Sequence, residues 1–123
     1  MESLTASVGA ALALGVGVAH SYLGERFILI RLLRRPDLPL LFGSDVFTRR
    51  TLRFAWHVTS IAWWGLGAVL LLLAAEASSR TIGAAVALTF GVTGVVTAVA
   101  SRGRHLAWIV FLVIAAAAWH ATR

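Results

Sequence analysis

The chain has 123 residues, of which 59% are hydrophobic and 13% charged, about half the charge of an ordinary soluble domain. It lacks cysteine, which excludes disulfide frameworks, thiolate metal sites and dithiol redox chemistry. The net charge is +6 and every basic residue apart from histidine is arginine, yet the arginines flank apolar stretches instead of covering a soluble face. That pattern excludes nucleic-acid binding and points to anionic lipid headgroups as the nearest partners.

Four apolar stretches occupy roughly 4–23, 54–75, 82–100 and 105–121. A helix needs about 20 apolar residues to cross a hydrocarbon core about 30 Å thick, and each stretch is near that length. The fold class expected is therefore all-α: an integral membrane four-helix bundle, one domain over residues 1–123. Arg26, Arg31, Arg34, Arg35, Arg49, Arg50, Arg53, Arg102 and Arg104 lie between stretches on one side, against Arg80 and Arg123 on the other. By the positive-inside rule, both termini are expected outside the cytoplasm, with a long Arg-rich cytoplasmic loop joining the first two helices. The N-terminus has Glu2 and no basic run, so the first stretch reads as a retained helix and not a cleaved leader.

In the first stretch, Gly9, Ala13 and Gly17 recur every fourth residue, as do Ala11, Gly15 and Ala19. Small residues at this spacing allow close helix approach in lipid. Glu25–Arg35 (ERFILIRLLRR) extends this helix or lies in the interface plane, until Pro36 and Pro39 stop it. Glu25 beside Arg26 reads as an interfacial ion pair. Ser44 or Asp45 is placed to cap the second helix, which carries Trp56, Trp63 and Trp64. Trp56 suits the aromatic belt; of the deeper pair, one tryptophan is expected to pack inward and the other to face lipid. In the third helix Gly83, Ala87, Gly91 and Val95 form another small stripe. It is expected to lie at the centre of contacts, with Thr89, Thr93 and Thr97 bonded to their own helix carbonyls.

The chemistry-bearing residues are the histidines. His20, His57 and His105 fall at similar depth on three helices, at the arginine side, while His120 is alone at the other. Neutral imidazole is the commonest metal ligand. Three converging rings would hold a transition metal with an open fourth position, and two would ligate haem b from opposite faces. The same residues also suit a membrane-helix end, where amphipathic side chains settle. Glu25, five residues after His20, stands well round the helix from it. Glycine-rich phosphate loops, hydrolase triads and HExxH spacing are absent.

The leading functional expectation is a non-enzymatic assembly or accessory module of a bacterial inner membrane, with membrane lipids as partners, acting as a homo-oligomer or as a subunit of a membrane complex. The alternatives are a haem- or metal-binding protein using His20, His57 and His105, and a small oligomeric transporter. No acidic or basic group sits at mid-depth, where transport sites usually lie.

Overall fold

A computed structural model describes residues 2–123. The described chain is helical, without named strands, in the order α1 (Glu2–Leu23), a π-helical segment (Gly24–Leu29), α2 (Ile30–Leu32), α3 (Val46–Ala74), α4 (Ser79–Ser101) and α5 (Ala107–Ala121). α1, the π segment and α2 form one continuous rod. Together with α3 and α4 it makes three helices long and apolar enough to cross a membrane, and α5 is a shorter apolar helix of 15 residues. At 1.5 Å per residue, α5 is about 22 Å long.

The connections are short where residue chemistry permits them. α3 ends at a left-handed Glu76 (φ 49°), and the Ala77 amide reaches back to the Leu72 carbonyl at 2.9 Å. Ser78 then caps α4, accepting from the Thr81 amide at 3.2 Å. α4 ends in the same way at Arg102 and Gly103, both with positive φ; the Gly103 amide bonds the Ala98 carbonyl at 2.7 Å. Such closures satisfy carbonyls that a helix end leaves open.

The long connection 33–45 folds back on α3. Leu41 and Ser44 pair around the left-handed Phe42 and Gly43, as a two-residue turn requires. Thr48 holds the Pro39 carbonyl at 2.7 Å, and Arg49 holds the Arg35 carbonyl at 2.9 Å. Asp45 occupies the cap position of α3, but its side chain makes no cap bond; it pairs with Arg49 one turn on. Stretch 25–35 is thus an extension of the first helix, and an ion pair replaces the expected polar cap.

The helices stand in an open row. α1 packs on α3, α3 on α4 and α4 on α5; among the described residues α1 touches neither α4 nor α5. The α1–α3 seam uses the small stripe of α1. A side chain at Gly17 would strike the Trp64 indole, one at Gly9 would come within 2.8 Å of Leu70, and Ala13 faces Gly67. The α4–α5 seam fits Gly83 against Thr122 and Gly94 against Leu112. Gly91, the centre of the expected stripe, is less tightly held, because a Cβ there would meet only Ala115 at 4.0 Å. Antiparallel packing collects nine of the eleven arginines at one end of the row.

Candidate functional site

The site lies at the arginine end, where α1 and its π-helical continuation face α3. Ser21 and Glu25 are four residues apart and share one face of the rod. Arg53, His57 and Ser60, spaced by four and then three residues, share a face of α3. The two faces meet in a continuous polar chain. Buried Ser60 donates to the Gly17 carbonyl at 2.8 Å and contacts Ser21 Oγ at 2.7 Å. Ser21 Oγ lies 3.0 Å from His57 Nδ1. His57 Nε2 lies 3.2 Å from Glu25 Oε2, and the other Glu25 oxygen takes Arg53 at 3.0 Å.

One proton per hydroxyl gives this chain a consistent assignment of donors. A hydroxyl has one proton to give, and a carbonyl can only accept. The Ser60 proton is spent on the Gly17 carbonyl, so the Ser21–Ser60 contact uses the Ser21 proton. Ser21 therefore accepts from His57 Nδ1–H. The remaining contact is His57 Nε2 with a Glu25 oxygen at 3.2 Å. The tautomer follows from the bonding network. His57 thus stands between Ser21 and Glu25 at the edge of an apolar bundle, with Arg53 on the other Glu25 oxygen.

His20 belongs to a different face. Its ring stacks on the Trp56 indole, 4.5 Å between centroids at 3°, and meets Trp63 edge-on at 4.9 Å. The two residues also exchange bonds: Trp56 Nε1–H donates to the His20 carbonyl at 3.0 Å, and His20 Nε2 sits 3.2 Å from the Trp56 carbonyl. Gly24 makes this possible, since a side chain there would occupy the space of the Trp56 ring. Trp64 covers Gly17 and donates to the Leu14 carbonyl at 3.2 Å. Trp63 and Trp64 thus both touch α1, with Trp63 half-buried and Trp64 exposed.

His105 lies in the α4–α5 turn. Its ring stacks with Phe47 at 5.9 Å and meets Phe54 edge-on at 5.2 Å, while Nδ1 is buried without a hydrogen-bond partner. It fastens that turn to the start of α3.

The three histidines expected to share a metal or haem are therefore separated by function within the fold. Two rings are occupied by aromatic faces and the third by a serine and a glutamate. Among the described residues no group of three or more His, Cys, Asp or Glu side chains is arranged to hold a metal ion. Glu25 pairs with His57 and Arg53 and not with Arg26, whose guanidinium lies 5.7 Å over the Phe27 ring.

Glu25, His57 and Arg53 open onto a cleft of about 810 Å³ between the α1 rod and α4, across one face of α3. It exists because α1 and α4 do not touch. No protein-family model matches the chain, and neither curated proteins nor solved structures give a significant match.

Proposed function

We propose that the protein is a multi-pass membrane module of the bacterial inner membrane, non-enzymatic, that acts by assembling with further copies or with a larger membrane complex. The open row of helices carries this reading. Among the described residues, α1 has neighbouring helices on its α3 side alone, and α5 on its α4 side alone. The second small stripe of α1, Ala11, Gly15 and Ala19, is exposed, and nothing lies within 4 Å of a Cβ at Gly15. Small residues on a free helix face are suited to close approach by another helix in lipid, where packing drives association.

Orientation follows the arginines, with the 33–45 connection and the Arg102–Arg104 turn in the cytoplasm. α5 makes the fourth span despite its length, its mismatch absorbed by flanking residues and local thinning. At its outer end Arg123 stacks 3.5 Å over the Trp119 ring, an interfacial anchor.

Two measurements test this. Reporter fusions near Pro39 and Gly103 are expected inside, and fusions near Ser78 and the C-terminus outside; a cytoplasmic C-terminus refutes the orientation. Cross-linking through single cysteines at Ala11 and Gly15 is expected to join copies, or to capture a membrane partner, in native membranes. Cysteines on the Gly9/Gly17 face, covered by α3, are expected to stay unlinked.

A further inference from the structure

The cleft at the arginine end has two kinds of wall. Its apolar part is formed by Ile30, Leu33, Phe54, Val96 and Ala100, and its rim by Arg34, Arg49, Arg50 and Arg53. Arg49 is tied to Asp45, and Arg53 to Glu25. Arg34 and Arg50 take no side-chain hydrogen bond or ion pair among the described residues. Four guanidinium groups against Glu25 in the lining and Asp45 beside it leave two positive charges uncompensated. A guanidinium offers five N–H donors in a fork that fits phosphate oxygens, so even the paired arginines keep donors to spare. The volume is that of a small-molecule site.

We propose that this cleft binds the phosphate headgroup of an anionic phospholipid, with its acyl chain along Phe54, Val96 and Ala100. Arg34 and Arg50 take the phosphate, while Glu25, held by His57 and Arg53, bounds the site on the side of α1. The inference rests on the membrane reading above, which puts the arginine end at headgroup level. A basic pocket between membrane helices is a recognised setting for acidic headgroups. The apolar floor separates a lipid from a free phosphate, because the chain supplies hydrocarbon contacts that the inorganic ion lacks. The missing α1–α4 contact leaves the sideways opening that a chain needs.

The full-length protein, purified in a neutral detergent, is titrated by native mass spectrometry with phosphatidylglycerol, phosphatidylcholine and inorganic phosphate. Phosphatidylglycerol is expected to be retained over phosphatidylcholine and not displaced by excess phosphate. Arg34→Gln with Arg50→Gln is expected to weaken phosphatidylglycerol about thirtyfold, at roughly fivefold per basic residue near anionic lipid. Arg102→Gln with Arg104→Gln, at the same end but outside the lining, is expected to leave it nearly unchanged. Ala100→Phe, which fills the floor without altering charge, is expected to abolish retention. Equal loss in the two arginine pairs would show diffuse charge and overturn the site. So would equal retention of the two lipids, undiminished binding in Ala100→Phe, or phosphate binding as tight as lipid. Failure of the membrane reading is read separately, as release of the chain from membranes by alkaline carbonate.

Discussion

Ser21 has one proton and two neighbours that compete for it, and that arithmetic makes His57 distinctive. Nitrogen-15 spectra of His57 in the intact protein are expected to show the Nδ1 position protonated. A neutral imidazole with its proton on Nε2 alone would refute the proton count. Glu25→Gln supplies an amide that can donate to Nε2, so His57 is expected to keep its Nδ1–H with the fold retained. Ser21→Ala leaves His57 Nδ1 without its acceptor, and is expected to lower stability by about 1–3 kcal/mol, read from thermal unfolding in detergent. Glycines divide by what they face. Gly17→Leu drives a side chain into Trp64 and is expected to cost at least about 1–3 kcal/mol, the usual penalty of overpacking. Gly15→Leu, which meets open space, is expected to leave the monomer's melting unchanged and to reduce cross-linking between copies. The same melting curves check both.

Among the elements, the 33–45 connection is the one whose hold depends on acid. Arg49 beside Asp45 and Arg35 beside Asp37 keep both carboxyls below the usual carboxylate range, chiefly through the hydrogen bonds they give. A carboxyl depressed in the folded state contributes fully above its ordinary value of about 4, and the contribution fades as pH falls through the depressed value. Amide protection in 34–45 is therefore expected to hold down to about pH 5 and to drop as pH falls below about 4, while α4 holds, with Asp45→Asn removing part of the change. An acid-insensitive connection would show that Thr48 and the Leu41–Ser44 turn suffice.

The sequence made much of this scale legible. Composition and length marked four apolar segments, and Pro36 and Pro39 marked the end of the first rod. The site was less legible because depth and face are different coordinates. His20, His57 and His105 agree in depth, but depth does not say which way a ring points. The readable signal was the spacing of Ser21 and Glu25 opposite Arg53, His57 and Ser60. Comparing Glu25 with His20 alone set the two apart correctly, but without Ser21 in the comparison the pairing of Glu25 with His57 went unseen. The reciprocal His20–Trp56 contact needs Gly24, and no periodicity singles out that glycine from the other small residues of the rod.

At the scale of the molecule, the open row decides how the protein is built. Each long helix packs on the one before it in the chain and on the one after, and among the described residues no contact joins the first to the last. The seams are thus of low contact order apart from the α1–α3 pair, which spans the long connection, and low contact order favours fast assembly. During synthesis every helix that leaves the ribosome finds its earlier neighbour already present, so nothing has to wait for ring closure. A chain stopped after Ser101 is accordingly expected to keep the α1–α3 and α3–α4 seams, and to regain α5 when that hairpin arm is supplied as a separate peptide.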